Sequence, residues 1–137
     1  IPKFSYSTKS QIYANKKIFM IDTAMAILNG FRISGDMGRL LENMVCIQLK
    51  RSNHELFYFR NRFECDFITK KNNSYQAIQV CYELNDNNRT REINGLVEAM
   101  DKLNLKKGEI LTIDQEEELV QDDRQIKIVP AYKWFLN

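Results

Sequence analysis

Apolar residues recur with helical spacing in two segments of the chain. The first has them at i, i+3, i+4, i+7 and i+8, namely Met37, Leu40, Leu41, Met44 and Val45. The second has them at Ile93, Leu96, Val97, Met100 and Leu103. Each set lies on one face of a helix, so the spacing predicts two amphipathic helices. Asp36 is the expected N-cap of the first helix, and Gly95 weakens the second.

Six shorter segments have the length and the apolar or alternating pattern of β-strands. They are residues 17–22, 55–60, 64–70, 75–84, 109–114 and 125–130. The connections between the second, third and fourth segments are short and polar, which is typical of an antiparallel meander.

Three further segments complete the predicted elements. Residues 23–29 are expected to form one or two helical turns, residues 115–123 a solvated acidic turn, and residues 131–137 a short helix. The order is then strand, helix, three strands, helix, two strands and helix. This mixture predicts an α/β fold, bordering on α+β, in which helices cover one central mixed sheet.

The length and composition fit one globular domain. The 137 residues are 44% hydrophobic and 28% charged, and no apolar run approaches the ~20 residues that a membrane helix needs. Residues 1–16 are polar with scattered aromatic side chains and are interpreted as a lead-in from a preceding region, which leaves residues 17–137 as the domain. Because the chain begins with Ile1 rather than Met, we expect it to be part of a longer protein.

Cysteine, histidine and charge narrow the classes of function. Cys46, Cys65 and Cys81 match no zinc-ligand spacing and are expected to be reduced thiols of a cytoplasmic protein. His54 is the only histidine, which argues against a Ser-His-Asp or Cys-His site. The net charge of +2 hides an asymmetry, because residues 1–71 hold 12 basic against 6 acidic residues and the remainder holds 8 against 12. The basic half fits either a phosphate-binding surface or a solvated one.

The most informative chemistry lies in residues 64–84, two predicted strands joined by a polar turn. Asp66 stands in an apolar stretch of the first strand, and a buried carboxylate without a partner is costly. We therefore expect Asp66 to bind a metal ion, an arginine such as Arg60 or Arg62, or backbone donors. A metal site and a structural ion pair are both open at this point.

Metal-dependent cleavage of a phosphodiester needs hard oxygen ligands and a cation near the phosphate. Gln79, on the second strand, offers a carbonyl oxygen but no charge, and Cys81 cannot replace an ammonium group. Arg89 or Arg91, at the start of the next helix, is a candidate substitute cation, and Glu83 is a candidate second carboxylate.

Five segments of the chain carry a family resemblance: GRLLENMVCIQLK (38–50), YFRNRFECDFI (58–68), AIQVCYEL (77–84), REINGL (91–96) and IVPAYKWFL (128–136). From about residue 11 onward the chain resembles the C-terminal nuclease-like domain of bacterial and archaeal AAA-type ATPases. That domain is one of unknown function, and its core is similar to the PD-(D/E)XK, or restriction-endonuclease-like, fold. The resemblance implies this fold and an ATPase region upstream in the same chain as a partner.

By position, the resemblance implies that Glu42 is the acid on the first helix and Asp66 the metal-binding acid. Gln79 stands where the motif has its second acid, and Cys81 where it has lysine. Glu42, Asp66 and Gln79 are therefore expected to form a relict catalytic site, in which Asp66 and Gln79 bind Mg²⁺ weakly or not at all. No ATP site is expected, because these residues contain no Gly-rich phosphate loop.

Basic residues near these segments are candidate contacts with DNA: Arg39, Arg60, Arg62 and Lys70. Three functions are then compatible with the sequence, in decreasing order of preference. The first is a nucleic-acid-binding, nuclease-like module with an inactive or weak site. The second is an interaction domain that docks on its own ATPase or on another protein, and the third is an active Mg²⁺-dependent nuclease. Whether the chain is an enzyme stays open.

Overall fold

The computed structural model of the chain describes residues 1–22, 24 and 37–136. The helices within these residues are α1 (Thr8–Tyr13), α2 (Met37–Arg51), α3 (Arg89–Leu103) and α4 (Ala131–Phe135). The strands are β1 (Glu55–Arg60), β2 (Glu64–Lys71), β3 (Ser74–Val80), β4 (Lys107–Thr112), β5 (Glu117–Gln121) and β6 (Arg124–Pro130). The predicted α/β architecture, with one mixed sheet flanked by helices, is confirmed.

The six strands lie in the order β1-β2-β3-β4-β6-β5. The first three form the predicted antiparallel meander, while β3 pairs with β4 and β4 with β6 in parallel. The crossover between β3 and β4 is α3, because parallel neighbours need a long connection and a helix supplies it. β5 closes the far side of the sheet by pairing antiparallel with β6.

Each face of the sheet buries the apolar stripe of one predicted amphipathic helix. On one face Leu41, Val45 and Leu49 of α2 pack with buried side chains of the sheet that include Phe67 and Ile78. On the other face α3 packs across β2, β3 and β4 and contributes a second cluster around Leu96 and Met100. The helical spacing thus predicted both helices correctly, because their stripes are what the sheet buries. No helix in the described ranges has both the length and the apolar character needed to cross a membrane.

Three details of the prediction are wrong. Residues 17–22 form no strand, because the segment pairs with no strand of the sheet, and Ile18 and Ile21 are 90% and 91% exposed. Residues 115–123 contain β5 rather than only a turn, since Glu117 and Glu118 pair with cations outside the core. The strand predicted at 75–84 ends at Val80. The predicted turns at 23–29 and the N-cap Asp36 lie outside the described residues, except for residue 24.

Residues 1–22, the N-terminal arm, pack against the body of the domain. The backbone N–H of Phe4 donates to the carbonyl of Tyr58 in β1 at 2.7 Å, and Tyr58 N–H donates to the carbonyl of Pro2 at 3.1 Å. Phe4 itself is buried in the cluster beneath α3. Farther along the arm, the hydroxyl of Tyr58 donates to the carbonyl of Asn15 at 2.7 Å.

Gly95 lets α3 approach the start of β2. A Cβ atom at this position would overlap the backbone carbonyl of Glu64, whereas glycine leaves the room. The loss of helix propensity that the sequence indicated is therefore offset by close packing of helix on strand. This contact sets the distance between α3 and the part of β2 that carries Glu64 and Asp66.

We expect Gly95→Ala to destabilise the domain by about 1–3 kcal/mol, the usual cost of forcing extra atoms into a packed contact. The helix-propensity gain of about 1 kcal/mol would reduce that loss without cancelling it. The measurement is the free energy of unfolding from urea titration. Gly38→Ala in α2 is the matched control, because a Cβ there meets no atom within 4 Å. Equal stability of the two variants would contradict the close approach.

Candidate functional site

A cleft of about 520 Å³ opens between the first turns of α2 and α3, above the start of β2 and the end of β3. It brings together the three residues predicted to form a relict site, Glu42, Asp66 and Gln79, and the neighbouring Cys81. These residues come from one helix and two strands, so the fold assembles them although they are up to 39 positions apart in the chain.

Asp66 is buried and has two partners. Its Oδ1 accepts a hydrogen bond from the Lys17 ammonium at 2.8 Å, and its Oδ2 accepts one from the backbone N–H of Val80 at 3.0 Å. The requirement for a partner was predicted, but its identity was not, because neither Arg60 nor Arg62 supplies it. Lys17 belongs to the N-terminal arm, 49 positions before Asp66.

Lys17 lies among three carboxylates. Its Nζ is 3.0 Å from Glu42 Oε1, 2.7 Å from Glu64 Oε1 and 2.8 Å from Asp66 Oδ1. The ammonium donates hydrogen bonds to Glu42 and Asp66 and forms an ion pair with Glu64. Glu64 could have been found from the sequence, because it stands two positions before Asp66 on the same strand. Nothing in the sequence pattern pointed to Lys17.

Burial is the largest influence on the pKa values of both Asp66 and Lys17, and neighbouring charges modify it. Burial raises the pKa of Asp66 to about 7, with a further contribution from Glu42, although Lys17 and the Val80 N–H act in the opposite sense. For Lys17, burial alone would lower the pKa, but Asp66 and Glu42 raise it well above its usual value. The two directions are compatible: the ammonium is firmly charged, while three carboxylates compete for it.

Gln79 is held at both ends of its amide. The side-chain carbonyl accepts from the backbone N–H of Asp66 at 3.1 Å, and the NH₂ donates to Glu92 Oε2 at 2.5 Å. Glu92 is buried, and Arg91 Nη2 donates to its other oxygen at 2.6 Å. A glutamine amide carries both an acceptor and a donor, so it can bind the Asp66 N–H and the Glu92 carboxylate at the same time. Its carbonyl therefore faces the backbone of β2 in this structure.

Neither Cys81, at the lysine position of the resembled motif, nor the two arginines considered as substitutes brings a positive charge to Asp66. Burial raises the pKa of the Cys81 thiol to about 11, with Glu92 adding to it, so Cys81 brings no charge to the cleft at neutral pH. Arg91 lies on the cleft but is bound to Glu92, and Arg89 pairs with Glu117 on β5 at 2.6 Å. Among the described residues, the cation that contacts Glu42, Glu64 and Asp66 together is Lys17.

Three of the four predicted DNA contacts lie on the same side of the fold. Arg39 lines the cleft, Arg60 Nη1 is 3.7 Å from Glu64 Oε2, and Arg62 lies exposed in the turn just before Glu64. Lys70 lies near the opposite end of β2, where its Nζ is 3.4 Å from a carboxylate oxygen of Glu55.

The carboxylates of the cleft are of the type that binds hard divalent cations, but Lys17 now occupies them. Glu42, Glu64 and Asp66 supply the carboxylate oxygens that Mg²⁺ and Mn²⁺ prefer. In the present arrangement, however, no group of three Asp, Glu, His or Cys side chains among the described residues is placed to hold a metal ion. The three carboxylates converge on the Lys17 ammonium instead, which stands where an ion shared by all three would lie.

Comparison with known proteins gives two matches. A family model described as "Domain of unknown function (DUF4143)" matches residues 37–134, which contain Glu42, Asp66 and Gln79 but not Lys17. An "Uncharacterized protein MJ1544" of Methanocaldococcus jannaschii is 40% identical over 148 residues. That match covers 98% of this chain and 32% of the relative, so the chain spans about a third of that protein's length.

We expect the stability of the domain to fall as the pH rises from about 4 to above 7. The folded state raises the pKa of Asp66 from 3.8 to about 7. The folded protein therefore binds this proton more tightly than the unfolded chain, and its contribution is lost as the pH passes 7. The free energy of unfolding between pH 4 and 8 measures this, and Asp66→Asn should have a flatter profile. The exposed Asp86→Asn is the control, and a wild-type slope in Asp66→Asn would refute the assignment.

We expect Gln79→Glu to destabilise the domain by about 1–3 kcal/mol, because a carboxylate would replace the donor to Glu92 and leave a buried acceptor unpaired. The double variant Gln79→Glu with Glu92→Gln restores one donor and one acceptor in reversed order. It should recover part of the loss in a double-mutant cycle measured by urea unfolding. Additive effects of the two substitutions would show that the pair is not coupled.

Proposed function

The chain belongs to the DUF4143 family, a domain of unknown function, and we propose that it is a nuclease-like module that binds nucleic acid and carries a degenerate metal site. The proposal includes a PD-(D/E)XK-like core and an AAA-type ATPase region elsewhere in the same cytoplasmic protein. The observation that carries it is the convergence of Glu42 from α2 with Glu64 and Asp66 from β2 in one cleft, beside β3.

Metal-dependent phosphodiester chemistry needs hard oxygen ligands that converge on one ion, and an acid on the flanking helix together with acids on β2 would supply them. Glu42, Glu64 and Asp66 lie within 3.0 Å of one point, the Lys17 Nζ. A divalent ion at these acids would polarise a phosphate oxygen when bound. Glu42 and Asp66 would hold it, while the Val80 N–H orients Asp66.

Two features support a weak or inactive site. Lys17 is paired with three carboxylates, so its charge is engaged by the acids rather than directed at a phosphate. Gln79 brings no charge, and its carbonyl accepts from the backbone of β2. An active nuclease is accordingly the least favoured of the three functions.

The arginines Arg39, Arg60 and Arg62 support the nucleic-acid part of the proposal. Arg39 lines the cleft, and Arg60 and Arg62 lie at the connection just before Glu64, where they would bind a phosphate backbone that the acids themselves repel. Contacts to phosphate carry no sequence information, so the proposed binding is sequence-independent.

A protein-interaction role is the second candidate, and one observation favours it. An apolar groove of about 480 Å³ beside α2 is lined by residues of the arm and the helix, among them Phe19, Ile21 and Ile47. Ile18 and Ile21 are about nine-tenths exposed. Because the related protein is about three times as long as this chain, we propose the rest of the same polypeptide as the occupant of that groove.

We expect the domain to bind duplex DNA with an affinity that falls steeply as salt rises. Fluorescence anisotropy with a labelled duplex between 20 and about 200 mM salt measures the slope of log Kd against log salt. Arg39→Ala and Arg62→Ala should each weaken binding about fivefold and reduce that slope by about one. Lys70→Ala is the matched control, since its side chain lies near the other end of β2.

Absence of binding at the lowest salt would overturn the nucleic-acid role and leave the interaction domain as the better candidate. Mg²⁺-dependent cleavage that disappears in Asp66→Ala would instead support the active nuclease. An equal loss in Lys70→Ala would place the binding surface away from the cleft.

A further inference from the structure

The segment of the arm from Asn15 to Met20 lies over the cleft acids and holds them through Lys17. We propose that this segment, the strap, is an autoinhibitory contact: Lys17 occupies the acids as a tethered cation, and release of the strap opens them to a divalent ion. The inference rests on the proposed metal site and adds a means of controlling it.

Two neighbouring residues of α2 hold the strap. Glu42 accepts from the Lys17 side chain, and Asn43 binds the backbone of Met20 in both directions. The Met20 N–H donates to Asn43 Oδ1 at 2.8 Å, and Asn43 Nδ2 donates to the Met20 carbonyl at 3.2 Å. Asn43 is buried in α2, so this clamp is a built part of the helix surface rather than a surface contact.

Further contacts among the described residues hold the strap. The Tyr58 hydroxyl donates to the Asn15 carbonyl, and the Tyr58 ring centroid is 5.8 Å from Lys17 Nζ. The Lys17 N–H donates to the Ile1 carbonyl at 3.0 Å, and the Phe19 ring packs on Phe67 with 5.5 Å between the ring centroids. Residues 15–20 belong to no strand of the sheet, so their release breaks the backbone bonds to Ile1 and the Phe19 contact but no hydrogen bond between sheet strands. The strap can therefore detach while the sheet stays intact.

Lys17 and a divalent ion exclude each other on geometric grounds. The ammonium lies within 3.0 Å of three carboxylate oxygens, and Mg²⁺ or Mn²⁺ binds such oxygens at about 2 Å. Three carboxylates around a single positive charge leave the cluster negative, which favours a doubly charged replacement. A tethered group competes with high effective concentration, so metal affinity is low while the strap is in place.

The coupling is reciprocal. Any event that withdraws the strap raises the affinity of the acids for a divalent ion, and a bound ion loosens the strap by the same free energy. The arm lies before the range that the family match covers, so the inhibitory cation comes from outside that range.

The test measures Mn²⁺ binding by electron paramagnetic resonance, which counts the free ion without any enzymatic assay. Lys17→Met should bind Mn²⁺ at least tenfold more tightly than the wild type, and adding Glu42→Gln should remove that gain. Lys16→Met is the matched control, because Lys16 is exposed beside Lys17 and carries the same charge. Equal affinity of Lys17→Met and wild type overturns the proposal.

Two further measurements do not depend on Lys17→Met folding well. Asn43→Ala, which weakens the clamp but keeps the ammonium, should raise Mn²⁺ affinity severalfold. In the wild type, saturating Mn²⁺ should speed hydrogen exchange of the Met20 amide at least tenfold. If this amide exchanges equally slowly in the metal-loaded and metal-free proteins, the proposal that metal binding releases the strap is refuted. Neither readout involves nucleic acid, so loss of DNA binding and failure of the strap are separate outcomes.

Discussion

The burial of Asp66 is the constraint on which the site depends. A carboxylate at the centre of a sheet is stable only when its charge is balanced and its oxygens are hydrogen-bonded. The fold meets this demand with an ammonium from the arm and a backbone N–H from β3. The same ammonium also pairs with Glu42 and Glu64, so one lysine links the arm to both α2 and β2.

The opposite face of the sheet supports this arrangement. α3 approaches β2 closely at Gly95, and Gln79 links the backbone of Asp66 to the buried Glu92 of that helix. Asp66 is thus held by the arm through Lys17 and by α3 through Gln79. The glutamine that marks a departure from the resembled motif has a structural task of its own, which is to connect an N–H with a carboxylate.

The sequence predicted those elements that bury a periodic apolar face. Both long helices and five of the strands follow this pattern, whereas the segment at 17–22 has a strand-like composition without a strand partner. β5 was missed because its acidic residues point outward to Arg89 and Lys127. Glu42, Asp66 and Gln79 were predicted from their resemblance, but Lys17 is brought to them by packing across 25 and 49 positions, which no local pattern records.

The pairing of Pro2 and Phe4 with Tyr58 bears on the solubility of the domain. β1 is an outer strand of the sheet, and these residues engage the hydrogen-bonding groups of Tyr58 on its free side. An uncovered outer strand is a template for pairing with other chains and for aggregation. A full departure of the arm would therefore uncover this edge and carry a risk of self-association.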